Sequence, residues 1–363
     1  MPQVKIATFN TEWMVSIFGG LWTTWVPPTI PNTFPGRSLG DIKLDPIEDV
    51  PALCERLAGV IKDVDADIIG IEEGPPLQAQ MEVFVQRFLN DEYVVHYSNS
   101  KWQSICALVR RSIANQVISW QPILPPIKQR WSNIPYYPWG LIGAAEREAH
   151  KLDRQPLLLS FTPQVNTELL LMVLHTKSKY SMLKTREQWE ARDREAVLDA
   201  LNARAKLSAE IFRVRQFLTK QFEQAAPGAT PLSIVLMGDL NDGPFAELIE
   251  QEFLLHNIVD ELVGTLLDPD CHFRHAMTPQ RLRTATTTRF PDPLEGGQIV
   301  EELIDHILVS PGIWQQTGAF RIRPDSCQVE TEAYESHYDD NGPQSKRGLR
   351  PSDHKPVSVI LEY

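Results

Sequence analysis

The sequence has few cysteines, no long apolar segment and no export signal. Its four cysteines, Cys54, Cys106, Cys271 and Cys327, are scattered over 363 residues without C-x-x-C spacing, which argues against a zinc motif and against a disulfide-rich fold. No apolar run reaches the ~18 residues that cross a bilayer. The opening MPQVKIATFN lacks the basic and apolar regions of a signal peptide. We therefore expect a cytoplasmic protein that does not associate with membranes.

Positive charge is also scarce. The chain has 35 Lys and Arg residues against 47 Asp and Glu residues, a formal net charge of -12. A surface with this excess of acids is not a general coat for polyanions, so capture of a phosphate-bearing substrate requires a local basic cluster or a bound cation. The hydrophobic fraction of 42% and the charged fraction of 23% are typical of a globular protein and exclude a disordered or fibrous chain.

Short apolar runs alternate with helical patterns along the chain. Runs rich in Val, Ile and Leu predict strands covered on both faces, at residues 4–10, 66–73, 104–111, 157–161, 168–175, 233–240, 302–310 and 355–363. Amphipathic helices are predicted at 47–64, at 77–89 and within 181–224. This alternation indicates an α/β fold. We expect a single domain over 1–363 with long loop insertions near 21–44, 120–155, 268–297 and 323–351.

Many of the predicted strands end in, contain or closely follow polar side chains that can bind a metal or move a proton. These are Asn10 with Glu12, Glu72 with Glu73, His175, Asp239 with Asn241 and Asp242, Asp305 with His306, and Asp353 with His354. Each alone has an ordinary structural explanation, because Asp and Asn form turns and a lone His is commonly a satisfied core residue. Their joint occurrence indicates one site, since layered α/β folds present chemistry at strand ends. Hard oxygen ligands suit Mg²⁺, Mn²⁺ or Ca²⁺ rather than zinc, which predicts metal-assisted hydrolysis of a phosphate ester.

The motifs FNTEW, GIEE, GDLND, IDHI and SDHKP, together with the strand that ends in His175, occur in one order along the chain. In this order they resemble the endonuclease/exonuclease/phosphatase superfamily. The resemblance implies a deoxyribonuclease-I-like fold, a four-layer α/β sandwich in which two face-to-face mixed sheets are flanked by helices. It also implies hydrolysis by in-line attack of water, without a covalent intermediate, with Mg²⁺ as cofactor and Mn²⁺ or Ca²⁺ as alternatives.

The resemblance assigns four residues to the metal centre. Asn10 and Glu73 correspond to metal ligands, with Glu73 as the principal carboxylate. Asp353 completes the metal shell, and Glu12 lies where some relatives place a further acidic ligand.

The resemblance assigns five other residues to catalysis. Asp239 corresponds to the residue that orients or deprotonates the attacking water, and Asn241 to a contact of the scissile phosphate. His354 corresponds to a phosphate-binding histidine whose ring Asp305 holds. His175 corresponds to a second histidine that stabilises the phosphate or protonates the leaving oxygen.

Further basic and aromatic residues are candidates for substrate contacts. Lys177 and Lys179 follow His175 and would add positive charge beside the site, unless they are simply solvated. The first two loops concentrate aromatic residues, namely Trp22, Trp25, Trp120, Trp131, Tyr136, Tyr137 and Trp139. Exposed rings would stack on unpaired bases, but we favour their packing onto the body as small cores. Basic candidates for a nucleic-acid rim are Arg110, Arg111, Arg130, Arg147 and Lys151, and the cluster His272, Arg274, His275, Arg281 and Arg283.

We therefore expect a nuclease or phosphodiesterase that acts on DNA or RNA, with no obligate protein partner. The residues 175–177 and the IDHI strand differ from the patterns of abasic-site endonucleases and inositol-polyphosphate 5-phosphatases. One alternative is a phosphatase or phosphodiesterase for a small or lipid-derived phosphate ester, which would need a walled cavity rather than an open basic groove. A second is a catalytically silent binding module, against which every expected catalytic position is filled.

Overall fold

The computed structural model describes residues 1–20, 25–39, 42–98, 102–120, 131–138, 143–225, 228–243, 257–292, 294, 296–338 and 346–363. Its strands are β1 Gln3–Asn10, β2 Arg37–Leu39, β3 Ile42–Leu44, β4 Ile68–Gly74, β5 Tyr93–Ser98, β6 Ser104–Arg110, β7 Val117–Ser119, β8 Ile134–Tyr136, β9 Glu148–His150, β10 Leu157–Gln164, β11 Thr167–His175, β12 Ser233–Asp239, β13 Arg274–His275, β14 Thr288–Asp292, β15 Gln298–Glu302, β16 Asp305–Val309, β17 Arg321–Ile322, β18 Gln328–Val329 and β19 Val357–Glu362.

The α-helices are α1 Val50–Val64, α2 Gln78–Phe88, α3 Arg186–Glu190, α4 Arg194–Glu223, α5 Val259–Val263, α6 Pro279–Leu282, α7 Pro311–Trp314 and α8 Thr331–Glu335. Short 3₁₀ turns occupy Met14–Phe18, Arg111–Gln116, Ala144–Glu146, Pro269–Cys271 and Arg347–Leu349. Within the described ranges, no helix combines the length and the apolar character that a membrane crossing requires.

Two large mixed sheets organise the structure. In the described part of the chain, the first sheet has the order β17-β19-β1-β4-β6-β5, with β18 also paired to β19. The second sheet has the order β13-β16-β12-β11-β10-β7. The pairs β1–β4 and β11–β12 are parallel, and their carboxyl ends carry the polar residues that the sequence singled out. Two-stranded ribbons β2–β3 and β8–β9 lie within predicted loop insertions, and the ribbon β14–β15 begins in the third insertion and extends beyond its end at residue 297.

The two sheets pack face to face and helices cover their outer faces. The core between the sheets includes Val4, Ile6, Ile68, Ala107 and Val359 from the first sheet and Leu171, Val173, Val235, Met237 and Ile307 from the second. Gly70 marks the closest approach, because a Cβ atom there would lie 2.8 Å from Val173 Cγ1. Helices α1 and α2 pack on the first sheet and α4 packs on the second. The predicted four-layer α/β sandwich is confirmed.

Two predicted elements are divided in the structure. The helical region 181–224 contains α3 and α4, because the left-handed backbone at Arg192 breaks the run and the Asp193 side chain caps α4 by accepting from Glu195 N and Ala196 N. The predicted strand 302–310 is interrupted before Asp305. There the backbone N atoms of Ile304 and Asp305 donate to the side-chain Oγ1 of Thr287, at 3.2 and 3.3 Å, and β16 begins at Asp305.

Candidate active site

The polar residues at the strand ends meet at one edge of both sheets. In the first sheet Asn10 is paired with Glu72. In the second sheet Asp239 is paired with His175 on one side and with Asp305 on the other. Asn10 Nδ2 donates to Asp239 Oδ2 at 3.0 Å and so joins the two sheets. Register alone therefore brings four of the residues that the sequence singled out for the site into one buried cluster.

A β-bulge turns Glu73 into this cluster. The pairing of β4 with β6 shifts register between Ile71 and Gly74, and Glu73 has a left-handed backbone with φ 56, so the bulge re-aims the side chain. Glu73 Oε2 accepts from Trp13 N at 2.8 Å, and its Oε1 lies 3.8 Å from His175 Nε2. Burial, helped by nearby Asp353, raises the pKa of Glu73 to about 7.

The neighbouring acid Glu72 has a different environment. Its side chain is buried and accepts from Thr8 Oγ1 at 2.7 Å inside the first sheet. Burial raises the pKa of Glu72 well above its usual range. Of the two adjacent acids, Glu73 is the one that faces His175.

Asp305 and His354 form a buried hydrogen-bonded pair. His354 Nδ1 lies 2.8 Å from Asp305 Oδ2. Although burial works against the charged ring, the Asp305 carboxylate raises the pKa of His354 well above its usual range. The carboxylate therefore favours the charged imidazolium form of the ring, whose Nε2 atom lies 3.9 Å from Asp353 Oδ1.

Asp239 lies at the centre of the cluster. Its Oδ1 accepts from Asn241 N at 2.8 Å, and its Oδ2, besides Asn10, lies 3.4 Å from His175 Nε2. Burial raises the pKa of Asp239 to about 6, and the Asp305 carboxylate adds to this shift. Asp239 is thus ionised at neutral pH, yet basic enough to accept a proton.

The last part of β12 depends on a glycine. Gly238 has φ 137, and a Cβ atom there would lie 1.9 Å from the carbonyl oxygen of Leu174. Any other residue would push β12 away from β11. Beyond the strand, Asn241 has a left-handed backbone with φ 51 and its Nδ2 donates to Thr176 O at 3.0 Å. Its amide is therefore already bonded to the loop that follows His175.

His175 is buried and uncharged. Burial lowers its pKa well below the usual range, and the charges of Arg154 and His354 lower it further. Its Nδ1 atom has no hydrogen-bond partner among the described residues. Arg154 donates to the carbonyls of His175, at 3.1 Å, and Thr176. The sequence analysis missed Arg154, since a lone arginine before a strand carries no recognisable signal.

Glu12 and Asp353 have different surroundings. Arg350 donates to both carboxylate oxygens of Glu12, from Nε to Oε2 at 3.0 Å and from Nη2 to Oε1 at 2.7 Å. Arg347 Nε lies 3.4 Å from Glu12 Oε2. Burial disfavours the charged form of Arg350, but the Glu12 carboxylate raises the pKa of this arginine. The structure thus places Glu12 in an ion-pair cluster, whereas Asp353 lies beside His354. The signal for these arginines was present in the stretch KRGLR that precedes the SDH motif.

The two lysines after His175 are held by the protein itself. Lys179 Nζ donates to Asp242 Oδ1 at 2.9 Å, and Arg204 lies 3.3 Å from the other carboxylate oxygen of Asp242. Although burial opposes it, these two cations lower the pKa of Asp242. Lys177 Nζ donates to Ser178 O at 3.0 Å. Neither predicted substrate-binding lysine reaches the cluster through the contacts seen here.

The described aromatic residues of the loops pack mainly onto the body. Trp131 is 1% exposed, and its ring and that of Trp120 both lie 5.4 Å from Phe217. Trp25 makes an edge contact with Phe18 at 5.9 Å. The interpretation of these rings as small cores is therefore the one that the contacts support. Trp22, Trp139 and Arg130 lie outside the described residues.

Three arginines of the candidate basic rims, Arg110, Arg111 and Arg274, are engaged elsewhere. Arg110 ends β6 next to Val109, which pairs with the first residue of β4, so it lies at the edge opposite Glu73. It forms an ion pair with Asp65, and Arg111 forms one with Asp91 at 2.6 Å. In the second cluster, the Arg274 guanidinium stacks on Trp314 at 3.7 Å.

His275, from the same cluster, belongs to a buried chain of hydrogen bonds. Its Nδ1 accepts from Met277 N at 3.0 Å, which leaves its Nε2–H to donate to His306 Nδ1 at 3.2 Å. His306 Nε2 then donates to the Asp242 carbonyl at 2.8 Å. Burial lowers the pKa of both histidines, so both rings are neutral and support the loop after β12.

The donor set of the cluster fits a hard divalent cation. Glu73, Asp239 and Asp305 are buried at one edge, and Asp305 Oδ1 has no hydrogen-bond partner in the described structure. Ligand atoms of Asp239, Asp305 and His354 lie within 4.8 Å of one another, but Asp305 and His354 already bond each other. The acids that remain for a cation are Glu73 and Asp353, and carboxylate oxygens are preferred by Mg²⁺.

Known proteins resemble this chain in sequence or in fold. A sequence model of the Endonuclease/Exonuclease/phosphatase family matches residues 52–354, whereas no curated protein matches the chain. Similar solved structures include truncated TDP2 from Caenorhabditis elegans, with 13% identity, a TM-score of 0.49 and coverage of 99% of this chain and 98% of that one. An endonuclease/exonuclease/phosphatase from Bacteroides vulgatus has 12% identity and a TM-score of 0.47, covering 100% and 99%. A Bacteroides thetaiotaomicron mannosyl-6-phosphatase has 14% identity and a TM-score of 0.49, covering 99% and 100%.

The family match spans most of the chain and includes the GIEE, GDLND, IDHI and SDH motifs. It confirms the resemblance that the order of the motifs indicated. The chain belongs to the endonuclease/exonuclease/phosphatase family, whose members hydrolyse phosphoric esters and generally use a divalent metal.

Proposed function

We propose that this protein hydrolyses a phosphate ester by a single in-line attack of water on phosphorus. The observation that carries the proposal is the buried cluster at the common edge of the two sheets. In it Asn10 bonds Asp239 at 3.0 Å across the sheets, and Asp305 bonds His354 at 2.8 Å. Such a cluster combines a proton acceptor and a cationic hydrogen-bond donor, which phosphoryl transfer to water requires.

Asp239 is the proposed acceptor of the proton from the attacking water. Its Oδ2 atom accepts from the side-chain amide of Asn10, and its Oδ1 atom accepts from the backbone N–H of Asn241. A pKa of about 6 leaves the carboxylate ionised at neutral pH and close to the value at which proton transfer is efficient.

His354 is the proposed donor to a phosphoryl oxygen. Asp305 fixes the Nδ1–H side of the ring, so Nε2–H points away from that bond and donates to developing negative charge. Neutral His175, 3.4 Å from Asp239, supplies a hydrogen bond to the phosphate or to the leaving oxygen. These fixed donors act by orientation and electrostatics rather than by a covalent step.

Glu73, Asp353 and Asn10 would hold the divalent cation, for which we propose Mg²⁺. When bound, the cation neutralises charge on the phosphate and on the leaving oxygen. We leave Glu12 out of this set because both its oxygens are bonded to Arg350. The raised pKa of Glu73 supports the assignment, since a cation bound at this buried carboxylate would stabilise its charged form.

We propose a small phosphate ester, rather than a polynucleotide, as the substrate. A cavity of about 340 Å³ lies beside Asp353, a size that suits small ligands. In the described residues, Arg110, Arg111 and Lys179 are bonded to acids, so they do not form the basic stripe that a long polyanion requires.

A hydrolysis panel with Mg²⁺ at neutral pH tests the proposed mechanism and the proposed preference for a small phosphate ester. It compares adenosine 5′-monophosphate, bis-p-nitrophenyl phosphate, single-stranded DNA, duplex DNA and RNA, with EDTA and the Asp239→Asn protein as blanks. We expect hydrolysis of small esters that is lost in both blanks. Cleavage of polynucleotides alone would refute the preference for small esters and support a nuclease. Full activity of the Asp239→Asn protein would refute the mechanism.

A further inference from the structure

The cavity beside Asp353 has two walls of different origin. One wall is the hairpin β14–β15, and the other is helix α8 with the residues that follow it. The hairpin is bonded directly to the segment that carries Asp353. Thr288 Oγ1 donates to Asp353 O at 3.0 Å, and Lys355 N donates to Thr287 O at 2.7 Å. A group seated against the hairpin is therefore adjacent to the reaction centre.

The hairpin presents an ordered face to the cavity. Arg289 is paired with Glu301, and Pro291 is paired with Ile299. Because side chains two apart share a face of a strand, these pairs lie side by side. Arg289 Nε contacts Glu301 Oε1 at 3.2 Å near the stem. The Pro291–Ile299 pair, farther out, is apolar, and Ile299 is 57% exposed.

The opposite wall carries two tyrosine rings. Tyr334 lies in α8 and Tyr338 follows the end of that helix, with ring centroids 6.3 Å apart. The Tyr334 hydroxyl donates to Ser352 O, which fixes this ring next to the SDH segment. The cavity therefore lies between aromatic rings on one side and an exposed apolar pair on the other.

The cations around the cavity are matched by acids. Arg289 is paired with Glu301, Lys355 Nζ lies 3.8 Å from Glu335 Oε1, and Arg350 is paired with Glu12. A second phosphate group would have to displace one of these carboxylates. A neutral ring with polar edges would instead use the same groups as hydrogen-bond donors and acceptors.

We propose that this cavity binds a flat, unsaturated ring in the organic part of the substrate, as in the base of a nucleotide. The proposal rests on the proposed phosphate-ester hydrolysis and names the substrate class of that site. The phosphate lies at the Asp353 end, and the ring lies between the tyrosines and the Pro291–Ile299 pair, where stacking and apolar burial favour it.

A matched pair of substrates tests the proposal. Adenosine 5′-monophosphate and ribose 5-phosphate release phosphate from the same kind of primary alcohol and differ in the ring. We expect kcat/KM to be about tenfold or more higher for the nucleotide. The ratio should fall about tenfold in Tyr338→Ala and decrease in Ile299→Ala. It should stay at the wild-type value in Ile118→Ala, which alters an isoleucine that is 64% exposed on the second sheet.

Calorimetry with the Asp239→Asn protein provides a readout that needs no turnover. The nucleotide should bind about tenfold more tightly than ribose 5-phosphate. Equal affinities, a ratio that Tyr338→Ala leaves unchanged, or tighter binding of ribose 1,5-bisphosphate than of the nucleotide would overturn the ring site. In that case hydrolysis that is lost in Asp239→Asn would still support the proposed function. Hydrolysis that survives in Asp239→Asn would overturn the function itself.

Discussion

The substitution Asp305→Asn tests how His354 is kept charged. The two side chains form a buried bond of 2.8 Å between His354 Nδ1 and Asp305 Oδ2. Asparagine has nearly the same shape, and its Oδ1 atom still accepts from Nδ1–H. The substitution therefore removes the negative charge while it keeps the orientation of the ring.

The expected effect follows from the strength of a charged hydrogen bond. A hydrogen bond to a charged group contributes about 1.5–3 kcal/mol of free energy. Its loss lowers the pKa of His354. The same energy, if it acts only in the transition state, lowers kcat by roughly 10- to 150-fold.

The pH dependence gives the direction of the effect. Asp305 raises the pKa of His354, so the charged ring is present below that pKa and is lost as the pH rises through it. In Asp305→Asn the alkaline decline of kcat should therefore begin at lower pH. The acid decline, which depends on Asp239 with its pKa of about 6, should also move slightly lower, because Asp305 contributes to that shift.

Asp63→Asn is a matched control for this measurement. Asp63 Oδ2 lies 2.8 Å from His337 Nε2, the same separation as in the buried pair, but the contact is at the surface and outside the cluster. It should leave the profile of kcat against pH unchanged. An Asp305→Asn enzyme whose alkaline decline coincides with that of the wild type would refute the role of Asp305.

Three further predictions concern metal binding and stability. The pKa of Glu73 of about 7 predicts that Mg²⁺ affinity falls as the pH drops below 7, because metal binding then has to displace a proton. Calorimetry at pH 6 in two buffers of different ionisation enthalpy should show the release of this proton. The Glu73→Gln substitution should abolish the release. Gly238→Ala should destabilise the fold by about 3 kcal/mol or more in urea unfolding, because the added Cβ overlaps Leu174 O. His306→Phe should destabilise it by about 1–3 kcal/mol, because the buried Asp242 carbonyl loses its donor; an unchanged unfolding midpoint would contradict that bond.

The strands were predictable because their runs of apolar residues indicate burial on both faces. The run 66–73 has apolar residues on both faces, and β4 is buried throughout. Element ends were less predictable, because they depend on distant contacts. At the break before Asp305 the backbone N atoms of Ile304 and Asp305 donate to the Thr287 side chain, and no local pattern near residue 304 encodes this contact.

The convergence of the site was predictable from strand ends, but the partners of its charges were not. Lys179 and Asp242 both stand beside site motifs in the sequence, and the structure pairs them with each other. A charged residue near a catalytic motif can face the substrate or another side chain, and only the three-dimensional arrangement decides between these. The same holds for His275, which the sequence suggests as part of a basic cluster and which is a half-buried neutral ring bonded to His306.

The ion pairs of Glu12 give the acid at this position a structural role. Arg347 donates to the carbonyl oxygens of Thr11 and Glu12, and Arg350 bonds the Glu12 carboxylate. Ser352 Oγ then donates to Asn10 O at 2.7 Å, between residues 342 positions apart. These bonds fasten the segment that carries Asp353 to the end of the strand that carries Asn10. We infer that Glu12 acts as a positioning residue, since the two proposed ligands come from opposite ends of the chain and this contact sets their separation.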